Sequence, residues 1–190
     1  MRLLNTYILI GLSMIAPYLF ANEDDHKAHN FVQLSWVREN PQNENVTPSG
    51  IGILARADIN DHWFLRSEYE DLADGNVDEQ AAELALAYVI NPHGKTAVHV
   101  AGIYEVVRET ESGLSTTQYG RGLEVGFHAG LTRAITLHGE MALISGNGQE
   151  TLGAEIGLFY RISEHFGANI EYLFDEDRNS ATELGFRYSF

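Results

Sequence analysis

The chain has 190 residues, 12 basic against 27 acidic for a formal net charge of −15, and no cysteine. So acidic a surface repels phosphate, which excludes a nucleic-acid binder. The lack of cysteine excludes a disulfide scaffold and a lipoprotein anchored through a cysteine.

Met1 to Ala21 carries one positive charge at Arg2, an apolar run through Ile8, Leu9, Ile10, Met14, Ile15 and Leu19, and small Ala21 ahead of Glu23, Asp24 and Asp25. This is the layout of a Sec-type signal peptide over 1–21, with Leu19 an imperfect residue three before the cut. A retained single-helix anchor is the competing reading, opposed by Pro17 and by the shortness of the run. Cleavage would remove Arg2 alone among the charges, leaving 11 basic and 27 acidic residues and a charge of −16. About 170 residues would remain, the size of one domain. Residues 22–30 lack periodicity and read as a flexible periplasmic stub, with His26 and His29 in a solvated tail rather than at a metal.

From residue 31 onward a two-residue period recurs between turn residues. It predicts ten strands at 31–38, 50–59, 62–71, 80–90, 96–107, 119–131, 134–144, 151–162, 166–175 and 181–190, close to the roughly ten residues that a tilted bilayer-crossing strand needs. Eight strands is the chief alternative. The mature chain has no long continuous apolar run, so a membrane-spanning structure must close as a barrel. The predicted fold is therefore all-β: a closed, antiparallel, up-and-down transmembrane β-barrel over 31–190.

The outward parity is plainest in three strands. The fourth places Ala82, Leu84, Leu86, Tyr88 and Ile90 outward against Glu83, Ala85, Ala87 and Val89 inward; the sixth places Leu123, Val125, Phe127, Ala129 and Leu131 against Gly122, Glu124, Gly126, His128 and Gly130; the eighth places Leu152, Ala154, Ile156, Leu158 and Tyr160 against Gly153, Glu155, Gly157, Phe159 and Arg161. The fifth is weakest, because Ile103 and Val107 fall inside. Tight connections at 58–61, 91–94, 132–133 and 163–165 are expected on the periplasmic side, and longer or more polar ones at 39–49, 72–79, 109–118, 145–150 and 176–180 outside. Two aromatic girdles follow: Trp63, Tyr88, Tyr160, Phe166, Tyr188 and Phe190 below, and Trp36, Tyr69, Tyr104, Tyr119, Tyr172 and Phe174 above. A soluble β-sandwich would explain alternation and short turns but would need neither girdle nor export signal.

The same parity assigns a lumen. Arg56, Arg66, Arg161, Arg187, His99, His128 and His138 fall near the periplasmic ends of their strands, and Glu68, Glu70, Glu83, Glu105, Glu124, Glu140, Glu155, Glu171 and Glu183 fall farther along. The arrangement supports either a core packed with ion pairs or an acidic, water-filled passage that concentrates cations. The inward glycines read as room for neighbouring side chains. No catalytic set, cofactor or metal site is expected. Outer-membrane proteases of the omptin type place acidic pairs and an Asp-His dyad at the extracellular rim, whereas these histidines are low. Barrel-type lipid A deacylases carry His-x-Ser-Asn, and the nearest approach here, His165 to Asn169, lacks the serine. Gly120-Arg121-Gly122 lies in a strand and is no phosphate loop.

The final strand, Glu183 to Phe190, puts Leu184, Phe186, Tyr188 and Phe190 on one face. It resembles the closing strand of bacterial outer-membrane β-barrels, in which a terminal Phe preceded by alternate aromatics is the assembly signal. Over essentially all of its mature length the chain resembles the small outer-membrane barrels of Gram-negative bacteria, the broad OmpA-like or OmpX-like group. The resemblance implies location in the outer membrane, outer-membrane lipid, lipopolysaccharide and the barrel-assembly machinery as partners, and a monomer. Such barrels serve many roles on one scaffold. The expectation is a structural or interaction role with a narrow, charged lumen, and the alternative is a small cation-preferring channel. Arg38, Arg108 and Arg121 break the outward apolar rule at the outer ends of their strands. There a planar guanidinium suits the phosphates of lipopolysaccharide, with simple snorkelling into water as the competing reading.

Overall fold

The computed structural model describes residues 30–42, 46–75, 77–92 and 96–190. The expected signal peptide, the stub apart from Asn30, and part of the 91–94 turn lie outside these. Ten strands run β1 Phe31–Asn40, β2 Ser49–Asp58, β3 Trp63–Asp74, β4 Val77–Val89, β5 Thr96–Glu111, β6 Leu114–Gly130, β7 Ile135–Gly146, β8 Gln149–Arg161, β9 Phe166–Asp175 and β10 Ser180–Ser189. Each pairs antiparallel with its chain neighbour, and β1 pairs with β10, from Phe31 opposite Ser189 to Asn40 opposite Ser180, to close the barrel. The ten-strand reading holds and the eight-strand alternative falls.

Alternation decides which face each residue takes. In β6, Leu123, Val125 and Phe127 stay 72%, 54% and 37% exposed, while Glu124 and His128 between and beyond them are buried. In water, apolar area left uncovered forfeits about 25 cal/mol per Å². A barrel that repeats this on every wall is built for lipid outside, and polar groups belong within. Ile103 and Val107 are buried inside, as their parity requires, and join an apolar strip of the inner wall with Phe64, Ala85, Ala87, Val89, Ala97, Ala101, Ala142 and Ile144.

The outer connections depart from expectation. Leu72–Glu79, Glu109–Gln118 and Ser145–Glu150 are not loops: strand pairing continues through them to Asp74 opposite Val77, Glu111 opposite Leu114 and Gly146 opposite Gln149. The physical reason is turn chemistry. Ser112 and Gly113 at φ 52° and 82°, and Asn147 and Gly148 at φ 51° and 80°, form two-residue turns with both φ values positive, whose twist matches the flanking strands and lets them zip to the tip. Residues 114–117 are exposed on both parities, so the β5–β6 hairpin stands clear of the barrel. It shows no alternation because neither face is covered.

The strands are also staggered. A line of cross-strand partners leads from Phe31 at the inner rim through Arg56, Arg66, Ala85, Ile103, Gly122 and Ile144 to Thr151 near the outer end of β8. Position along a strand is therefore a poor measure of height in the lumen.

Candidate functional site

The lumen is the candidate site, and it has three storeys. At the inner end, the Arg187 guanidinium sits 4.4 Å from the ring centroids of both Phe31 and Phe159 and donates from Nε and Nη2 to Gln33 Oε1 at 3.1 and 2.7 Å. Arg56 lies 3.8 Å over the Phe64 ring and bonds Asp58 Oδ1 at 2.7 Å. Two cations thus close this end against aromatic faces, an arrangement that desolvation favours. Arg161, at the end of β8, is only half-buried.

The middle storey turns on Arg66, which is 1% exposed. Its Nη2 donates to Glu83 Oε1 at 2.7 Å and Glu124 Oε2 at 2.8 Å, and its Nη1 reaches Glu124 Oε1 and Glu140 Oε2, each at 3.3 Å. One guanidinium from β3 therefore ties together β4, β6 and β7. His99 Nε2 lies 2.8 Å from Glu124 Oε1, and His138 Nε2 lies 3.4 Å from Glu155 Oε1 and 3.2 Å from Glu171 Oε1. His128 is buried opposite His138 in the β6–β7 register. Glycines admit these rings: a Cβ at Gly126 would strike the His99 imidazole, and one at Gly157 the His138 imidazole.

The outer storey is acidic. Glu68, Glu70, Glu105 and Glu183 are buried there, with Glu39 and Glu79. Ser35 Oγ and Gln33 Nε2 donate to Glu183 Oε1 at 2.5 and 2.9 Å. All nine glutamates and all seven basic residues assigned to the lumen face it, but bases and acids are not sorted by height as strand position suggested. Stagger brings Arg66, His99 and His138 into contact with Glu83, Glu124, Glu140, Glu155 and Glu171, and among the described residues Glu68, Glu70 and Glu105 have no basic neighbour in bonding contact.

Several lumen residues were not anticipated. Phe31, Gln33, Ser35 and Glu39 alternate inward along β1, and Phe64 shares the parity of Arg66. The two-residue period already marked them. Reading aromatics as girdle and Ser or Gln as neutral hid them.

On the outer surface, Arg38, Arg108 and Arg121 are exposed. They do not all sit at strand ends: β6 starts at Leu114, and Arg121 faces the girdle residue Tyr104, whereas Arg108 faces Thr117 higher on the hairpin. Arg38 is one outward position above Trp36. Phe186, Tyr188 and Phe190 line the lower girdle, with Phe166 stacked 5.6 Å from Phe186 and tilted 5.2 Å from Tyr188.

No family model matches the sequence, and no curated protein is detectably similar to it. Solved structures are similar in shape. The KdgM porin superposes with TM-score 0.50 at 14% identity over 83% of this chain and 99% of that one. The β domain of the Bordetella autotransporter BrkA superposes with TM-score 0.52 at 10% identity over 86% of this chain and 99% of the other. The likeness is one of fold: the chain is a closed transmembrane β-barrel.

Proposed function

We propose that this is a small outer-membrane protein of a Gram-negative bacterium, in the broad OmpA-like or OmpX-like group, with a structural or interaction role and a lumen closed by its own side chains. Its bilayer-facing apolar wall, two aromatic girdles and the porin and autotransporter folds it resembles support the location. The observation that carries the closed lumen is Arg66, fully enclosed and bonded to carboxylates of three other strands. Below it Arg187 fills the space between Phe31 and Phe159. Catalysis has no place in this reading, and adhesion finds little to use where outer turns are as short as Ser112-Gly113 and Asn147-Gly148.

Planar-bilayer recording of the refolded protein tests it. The unsubstituted barrel should give no discrete conductance steps, and Arg66→Ala should introduce them; stable steps from the unsubstituted barrel would refute closure. A second reading, a cation-preferring channel, is favoured by the gathering of Glu68, Glu70, Glu105 and Glu183 in the outer storey. It requires a reversal potential of cationic sign across a salt gradient, reduced when Glu83 and Glu155 are both made Gln.

Two surface roles complete the reading. Arg38, Arg108 and Arg121 contact lipopolysaccharide phosphates at and above the outer girdle. Phe186, Tyr188 and Phe190 present the outward aromatic pattern that the assembly machinery reads.

A further inference from the structure

We infer that the outer storey of the lumen binds a divalent cation of the calcium class between Glu68 and Glu70 of β3 and Glu183 of β10. One oxygen of each lies within 4.8 Å of the others. The three side chains are 8%, 2% and 2% exposed, and Glu68 Oε2, Glu70 Oε1 and Glu183 Oε2 accept no hydrogen bond among the described residues. Leaving one buried carboxylate oxygen without a donor is costly, and three that converge repel one another as well. Arg66, two residues before Glu68 on the same face of β3, is engaged with Glu83, Glu124 and Glu140. Ser35 and Gln33 hold Glu183 by its other oxygen, which orients the carboxylate without neutralising it.

A separate feature points to the same ligand. Glu105 of β5, 2% exposed and with Oε1 unbonded, lines a cavity of about 10 Å³ together with Glu68, Glu70 and Glu83. That is room for about one water-sized guest. Glu105 also lines a cavity of about 30 Å³ with Val107, Gln118 and Tyr119 nearer the outer rim. It thus gives an ion from outside a carboxylate step toward the inner cavity.

The donor set selects the ion. Carboxylate oxygens with no imidazole or thiolate favour a hard cation over zinc or copper. Among hard cations, calcium takes carboxylates in a flexible shell, about 2.3–2.6 Å from each ligand, whereas magnesium demands a near-ideal octahedron and keeps several waters, for which an enclosed site has little room. The histidine-containing groups are different. In one, Arg66 is already bonded to Glu124 and Glu140, and in the other the His138 imidazole stands between Glu155 and Glu171, so neither is a set of carboxylates alone.

The proposal goes beyond the closed-lumen reading: a conducting barrel could hold the ion and a sealed one could lack it, so binding and conductance fail separately. Calorimetric titration of the refolded, EDTA-washed barrel with CaCl₂ should show one saturable site, with MgCl₂ and ZnCl₂ weaker. Glu70→Gln and Glu183→Gln should each weaken binding by about tenfold or more, and Glu164→Gln, at an inner turn, should leave it unchanged. No saturable calcium binding, tighter binding of zinc, or parental affinity in both lumen variants would overturn the site. Because a lumen variant can fail to fold, Mn²⁺ added to the unsubstituted protein gives a readout without substitution. Paramagnetic broadening centred on the backbone signals of Ser35, Glu70 and Ala81 supports the site, and broadening confined to rim carboxylates such as Glu176 overturns it.

Discussion

The middle and outer storeys of the lumen are built from the same residue, glutamate, on the same inward parity, and they differ in what faces it. Around Arg66 each carboxylate is matched by a guanidinium or an imidazole; around Glu68, Glu70 and Glu105 none among the described residues is within bonding distance. The difference teaches that register, more than composition, decides whether a buried carboxylate meets a cationic side chain or other carboxylates. Stagger carries Arg66 up into the middle storey and leaves the outer carboxylates facing one another.

The comparison can be broken most severely at Arg66. Replacing it by Met removes the shared partner of Glu83, Glu124 and Glu140, and by the precedent of buried ion pairs with one partner deleted should cost about 3–5 kcal/mol. Urea unfolding of the refolded barrel, followed by its heat-modifiable gel mobility, measures this. Glu105→Gln should be tolerated or stabilising in calcium-free buffer, because it removes a charge from the side that lacks compensation. If the two substitutions cost the same, the contrast between storeys is wrong.

Next in size is Gly157→Ala, whose Cβ would meet the His138 imidazole; overpacking of this kind costs about 1–3 kcal/mol. A smaller penalty falls outside the lumen at Gly148→Ala, where φ is 80° and the left-handed backbone costs a non-glycine residue about 1–2 kcal/mol. Thermal unfolding should rank the two in that order, with calcium affinity unchanged by the turn variant. The smallest effect on stability is expected when Arg38, Arg108 and Arg121 are all made Gln: within about 0.5 kcal/mol for exposed sites, yet with weaker binding of lipopolysaccharide by the purified barrel. Undiminished lipopolysaccharide binding would leave snorkelling as the account of these arginines.

Much of this architecture was legible in the sequence because lipid outside and polar groups within impose one rule on every strand. Leu123, Val125 and Phe127 against Glu124 and His128 state it plainly, and even Ile103 and Val107, which seemed to weaken the fifth strand, went where parity sent them. The outer turns were misjudged because residues such as Glu109 and Thr117 stand above the bilayer, where no face is buried and polarity carries no period. Their turn residues, Ser112-Gly113 and Asn147-Gly148, were the better guide. Lumen pairing was illegible for a deeper reason. Which glutamate meets Arg66 depends on the cumulative offset of strands around the ring, and alternation within one strand contains no information about that offset.

The central proposal is that the lumen is closed at Arg66 and accessible above it. The chain has no cysteine, so single cysteines report without background. Val107→Cys lines the outer cavity, and Ala97→Cys lies inward near the start of β5. With a membrane-impermeant thiol reagent added from the outer side, Val107→Cys should be modified and Ala97→Cys should not, until Arg66 is also replaced by Ala. Modification of Ala97→Cys at the rate of Val107→Cys while Arg66 is intact would contradict the closed lumen.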